Sequence, residues 1–205
     1  MNERPVIVLT GGPGGGKTTL IEELAGDSKW AGRFSALPEA IFLMRDIYIS
    51  PREKLFQRVM VYLQMALEDG LSRALDGFDD RLIISHRGCL DPLAYWLHRG
   101  WSEEEFFSFT GTTREALYKR YTAVIHLVTA ADGAVEYYQR WPDAHRPETS
   151  EQAIELDRLL HDVWCDHPQY YRIGNVGRDW AAKSAAAQQV LSRIISIDGN
   201  SVQKS

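Results

Sequence analysis

Two rhythms of apolar positions alternate along the chain. Short continuous runs rich in β-branched and aromatic residues predict buried strands: "VIVLT" (6–10), "RLIIS" (81–85), "AVIHLVT" (123–129) and "QYYRIGN" (169–175). Between them, apolar residues recur at helical spacing. "KTTLIEELA" (17–25) carries Leu20, Ile21 and Leu24, with Gly26 as a stop. The stretch 52–75 places Leu55, Val59, Tyr62, Leu63, Ala66, Leu67 and Leu71 on one face of a long amphipathic helix. Shorter helical pieces are predicted at 90–99, 102–109 and 112–120, and longer ones at 150–164 and 179–195, the former capped by Thr149 or Ser150. "FSALPEAIFLM" (34–44) reads as a short second strand running into a helix or loop. Strands alternating with helices imply right-handed crossovers and an α/β fold, a parallel sheet covered on both faces.

In such a sheet, functional residues gather at the carboxyl ends of the strands. The first strand runs into "TGGPGGGKTTL" (10–20), where Gly11, four residues, then Gly16, Lys17 and Thr18 satisfy the pattern G-x-x-x-x-G-K-[ST]. Strand, glycines and helix stand in the order that a phosphate-binding loop requires. Its backbone N–H groups, with Gly12, Gly14, Gly15, Gly16 and Thr19, are expected to cradle a nucleoside triphosphate at the start of the helix. Lys17 reaches the β- and γ-phosphates, and the Thr18 hydroxyl is the candidate ligand of Mg²⁺.

Three further segments follow strands. Glu39 in "LPEA" is a base for an acceptor hydroxyl, a water-mediated Mg²⁺ partner, or an acid favoured by a helix N-terminus. In "SHRGCLD" (85–91), His86 stands where such proteins usually place a metal-linked carboxylate. It orients a metal-bound water, recognises substrate, or fills the place of a lost acid. Arg87 is a phosphate clamp or an ion-pair partner, and Asp91 is the nearest carboxylate for metal or substrate. Arg140 and Arg146 lie in "YYQRWPDAHRPET" (137–149), which reads as a cationic lid over bound nucleotide or as an exposed loop.

Composition narrows these readings. A chain of 205 residues, 44% hydrophobic and 25% charged, suits a single domain with a three-layer core. We expect that domain over 1–197, with a lid at about 130–148 and a flexible tail at 198–205. A net charge of −5 without a basic run argues against nucleic-acid partners. No stretch approaches the roughly 18 apolar residues of a membrane span. Cys89 and Cys165 have no metal spacing, and with no signal peptide the cytoplasm is the expected compartment. Trp96, Trp101 and Trp164 read as core or helix packing, and His126 as a core histidine with its ring nitrogens satisfied, not a ligand.

The segments "VIVLTGGPGGGKTTLIEEL", "LPEA", "HRGCLDPLAYW" and "HRPETSEQAIELDRLLHDVW…YYRIGN" together resemble the AAA-28 group of P-loop proteins, small ATP-binding domains similar to nucleoside and ribosylnicotinamide kinases. The resemblance spans about residues 5 to 195. It implies a P-loop kinase-type fold with a five-stranded parallel sheet in the order 2-3-1-4-5 and an arginine-bearing lid. It also implies a phosphate loop at Gly11 to Thr19, a carboxylate matched by Glu39, an Asp-Arg-Gly element matched by Arg87, Gly88 and Asp91, and a lid arginine matched by Arg146, with Arg140 second. The departure is His86, where the family has aspartate. The expected activity is Mg²⁺-dependent transfer of the γ-phosphate of ATP or GTP to a hydroxyl of a small molecule. The absence of an "NKxD"-type stretch favours ATP. The alternative is a nucleotide-binding regulatory or adaptor module with weak transfer or none.

Overall fold

The computed structural model describes residues 4–77, 81–138, 148–175, 177 and 179–202, without the side chains of 45, 46 and 196–202. Five strands form one parallel sheet: β1 (Val6–Thr10), β2 (Phe34–Leu37), β3 (Leu82–His86), β4 (Ala123–Leu127) and β5 (Tyr170–Ile173), in the order β2-β3-β1-β4-β5. The three central strands are buried along their whole length, which is why they read as continuous apolar runs. Register is continuous across the sheet: Leu9 lies beside His86 on one side and Ile125 on the other.

Alternate strand residues feed two cores. Val6, Val8, Ile83 and Val124 face a layer built by α2 (Lys54–Leu75), α3 (Asp91–His98), α4 (Glu103–Thr110), α5 (Arg114–Tyr118) and α6 (Ser150–Trp164). Ile7, Leu9, Ile84 and Ile125 face α1 (Lys17–Gly26) and α7 (Trp180–Val202). Trp96 and Trp164 are wholly buried in the first core, with Trp101 partly buried against it. A 3₁₀ stretch, Ala40–Asp46, follows β2. Thr149 and Gln152 close a full capping box at the start of α6. α7 continues to Val202, so the first residues of the expected tail are helical. Among the described residues, no helix is long and apolar enough to cross a membrane.

The expected face of α2 is only partly the buried one: Leu67 and Leu71 pack against the first core, but the buried face is turned away from the rest. Leu55 and Tyr62 are about half exposed, whereas Phe56, Gln57, Val61, Gln64 and Glu68 point inward. Polar residues occupy that face because the core beneath them is itself polar. Gln64 donates to Ser85 Oγ at 2.7 Å and to Glu68 at 3.1 Å, while Tyr121 and Arg120 also donate to Glu68. The helix runs antiparallel to the strands. Its last turn meets Arg4 just before β1, and its first turns lie beside the 3₁₀ stretch beyond the carboxyl edge of the sheet.

Candidate functional site

The carboxyl ends of β1, β2, β3 and β4 meet around the phosphate loop. The loop is pressed against the end of β4: a Cβ at Gly11, whose φ is +120°, would sit 2.1 Å from the Leu127 carbonyl oxygen. Glycine is therefore obligatory there on both conformational and steric grounds. Lys17 is buried, and its ammonium donates to the carbonyls of Gly11 at 2.7 Å and Gly12 at 3.0 Å. Burial, then the charge of Arg87, push its pKa down to about 7. Thr18 and Thr19 are exposed at the mouth of the loop.

The segment after β3 turns sharply. Arg87 has φ +71°, the one positive φ outside glycine among the described residues, and its N–H donates to Leu9 O at 2.9 Å. Backbone strain of this kind persists where surrounding contacts hold it, and it concentrates at functional sites. The turn sends the guanidinium between two carboxylates, 2.5 Å from Glu39 Oε1 and 3.2 Å from Asp91 Oδ2, and over the ring of Tyr95 at 5.4 Å. Burial raises the Glu39 pKa, but Arg87, His86 and Lys17 outweigh it and hold the carboxyl down at about 2.

Asp91 is 1% exposed and fully engaged. It accepts from Thr10 Oγ1, Trp164 Nε1, Arg87 and, more weakly, the Gly88 N–H. His86 is buried too. Its Nε2 lies 3.1 Å from Thr18 Oγ1, and its Nδ1 lies 3.7 Å from Glu39 Oε2, beyond a direct hydrogen bond. Burial, with Lys17 and Arg87 nearby, pushes its pKa down to about 4, so the imidazole is neutral near pH 7. Among the sequence candidates, Lys17, Thr18, Glu39, His86, Arg87 and Asp91 thus converge on one end of the sheet. Arg140 and Arg146 lie outside the described residues. The flanks of their segment are joined by a hydrogen bond from the Tyr138 hydroxyl to Glu148 O at 3.0 Å.

Among the described residues, no three His, Cys, Asp or Glu side chains gather as a metal cage. The donor set at the loop is one exposed hydroxyl, Thr18, with a neutral histidine behind it. That set fits a Mg²⁺ ion carried in on phosphate oxygens and water, which dehydrates reluctantly and needs few protein ligands.

Sequence reading missed Asp157 on α6, which is 2% exposed and accepts hydrogen bonds from the backbone of Gly12 and Thr129. The signal was present: an aspartate interrupts the inward stripe of Ala153, Leu156, Leu160 and Val163. It also missed Gln57, buried near the start of α2.

Residues 6–181 match the AAA_28 family, described as an AAA domain. Among curated protein sequences, none matches the chain. Among solved structures, the chain is similar to deoxyadenosine kinase from M. mycoides with the products dCMP and a flexible dCDP bound. That likeness has a TM-score of 0.61 at 15% identity, covering 92% of this chain and 99% of the other. The same kinase with bound dATP superposes at TM-score 0.55 and 12% identity, covering 92% and 100%. At these identities the likeness establishes a shared fold, that of a P-loop kinase.

Proposed function

The chain belongs to the AAA domain family, and on that premise we propose that it is a Mg²⁺-dependent phosphotransferase moving the γ-phosphate of ATP, or of GTP, to a hydroxyl of a small molecule. The observation that carries this reading is the Glu39–Arg87–Asp91 array beside Lys17. A carboxylate and a clamped guanidinium beside Lys17 support an acceptor site that faces the phosphate loop. Phosphoryl transfer needs positioning and charge neutralisation more than covalent chemistry; the array contributes positioning, and Lys17 beside it brings the balancing positive charge.

Lys17 leaves the carbonyls of Gly11 and Gly12 for the β- and γ-phosphates, whose charge restores the proton that burial makes labile. Arg87 neutralises the transferring phosphoryl group, and Asp91 holds Arg87 in its strained turn. Glu39 orients the acceptor hydroxyl and takes its proton late, once bonding to phosphorus has made that hydroxyl acidic enough for a carboxylate held near 2. Bound Mg²⁺ would supply charge neutralisation on the β- and γ-phosphate oxygens, with Thr18 as its protein ligand. In the tautomer that leaves Nε2 bare, His86 accepts a hydrogen bond from the Thr18 hydroxyl, which leaves the oxygen's lone pairs for the ion. Arg140 and Arg146 are the proposed lid cations. Gln57 offers its amide to the acceptor from the first turns of α2. The dATP and dCMP of the structural relatives favour a nucleoside-like acceptor.

The test is transfer of labelled γ-phosphate from ATP and GTP to a panel of nucleosides, sugars and antibiotics. Tight nucleotide binding without transfer to any acceptor would overturn the reading. A neutral histidine at position 86 favours a second one, a nucleotide-binding regulatory module with little turnover. His86→Asp separates the two. A strong rise in transfer marks the natural protein as a slowed or regulatory form, and a fall gives His86 a chemical role.

A further inference from the structure

The phosphate loop is held from behind by a residue that takes no part in the array above. Asp157 lies on the inward face of α6, and burying a carboxylate there is costly unless its lone pairs are met. They are met by backbone. Oδ1 accepts the Gly12 N–H at 2.7 Å and the Thr129 N–H at 3.0 Å. His126, wholly buried on β4, brings Nε2 to 3.1 Å from the same oxygen, off the line of a well-formed hydrogen bond. These contacts belong to three different elements: the loop after β1, the segment after β4, and β4 itself.

The packing around the carboxylate is tight. A Cβ at Gly12 would come within 2.9 Å of Ala153 O and 3.0 Å of the Asp157 Cβ, so the backbone of α6 is seated directly on the loop. The segment after β4 is tied to the loop a second time, by Thr129 Oγ1 donating to Pro13 O at 2.5 Å, and to the end of β5 by Asn175 donating to Thr129 O at 2.8 Å.

We propose that Asp157, steadied by His126, is the positioning residue of the phosphate site: it fixes Gly12 and Thr129 against α6 and so sets the loop geometry that a polyphosphate meets. The inference rests on the reading that this loop binds a triphosphate. Asp157 touches no substrate itself.

Hydrogen bonds to an ionised carboxylate are the strong ones, and one or two of them correspond to about 10- to 100-fold in an equilibrium constant. In the full-length protein, Asp157→Ala is expected to weaken binding of Mg·ATP and of inorganic tripolyphosphate by the same factor, about 10- to 100-fold. Asp157→Asn, which keeps shape and loses charge, is expected to lie between it and wild type. Equal loss for the two ligands marks a phosphate effect and not a base effect. Amide hydrogen exchange is the second arm and needs no ligand. Gly12 and Thr129 are expected to exchange at least 10-fold faster in Asp157→Asn, with the central strands unchanged. A folded Asp157→Asn with wild-type exchange at both amides, or with wild-type affinity for both ligands, overturns the proposal. If the wild type binds neither ligand, the triphosphate reading fails, and the exchange arm alone decides whether the clamp exists.

Discussion

Arg87 joins a backbone conformation that few side chains adopt to a guanidinium with partners on both sides. A residue so placed holds Glu39 ionised at the cleft, and the two must be separated by experiment. Glu39→Gln keeps the volume and a hydrogen bond to Arg87 but removes the base. On the proposed mechanism it lowers the rate of phosphate transfer by about 100- to 10,000-fold, the usual reach of general-base catalysis, while the Kd for ATP moves less than about 2-fold. Single-turnover transfer together with equilibrium binding checks both halves. A comparable loss in affinity would place Glu39 in nucleotide binding instead. None of this geometry was legible in the sequence beyond the candidates themselves. The residue types after β3 pointed to phosphate chemistry, but the positive φ at 87 and the saturation of Asp91 depend on Thr10, Trp164 and Glu39, residues distant along the chain.

At the scale of elements, strands and most helices were legible because burial on both faces writes an unbroken apolar run, and burial on one face writes a 3.6-residue period. α2 buries a face turned from the one its apolar period predicts because that rule assumes an apolar core, and here the core offers Ser85, Tyr121 and Arg120 as partners. Burial raises the pKa of Glu68 while Arg120 and the hydrogen bonds oppose it. Glu68→Ala leaves those partners unmet and is expected to cost about 3 kcal/mol in denaturant unfolding. A loss under about 1 kcal/mol would show that the network is dispensable. Further up the same face, Gln57→Leu is expected to raise the acceptor KM about 10-fold and leave the ATP KM unchanged. Equal changes in both would remove Gln57 from the acceptor wall.

The first turn of α7 carries its own titration. Lys183 is buried and donates to Val128 O and to Asn175 Oδ1 at 3.0 Å, and burial lowers its pKa to about 8 against an ordinary 10.5. Between those two values the unfolded chain holds a proton that the folded chain has released, so this residue's contribution to stability rises with pH. Relative to Lys183→Met, wild type is expected to gain up to about 3 kcal/mol from pH 8 to 10.5. A flat difference in unfolding free energy across that range would mean that the ammonium is not desolvated.

At the scale of the whole molecule, the layer order followed from the alternation of elements, and the strand order 2-3-1-4-5 from family resemblance. What neither supplied is how the loops at the carboxyl edge are joined to one another. Asp157 links the loops after β1 and β4, Asn175 and Lys183 link those after β4 and β5, and Arg87 with Glu39 links β3 to β2. Each loop hangs from a strand in the sheet, so a ligand that grips the loops must stabilise the entire sheet. At a nucleotide concentration of 100 times Kd, the gain is about 2.7 kcal/mol, or roughly 5–10 °C in Tm for a chain of this size. ATP with Mg²⁺ should raise the thermal midpoint by that amount in wild type and equally in Glu39→Gln, and should leave Lys17→Met unmoved. If Glu39→Gln also lost the shift, binding and transfer would share one set of residues. The division proposed here, with the loop for donor binding and the Glu39–Arg87 array for transfer, would then fail.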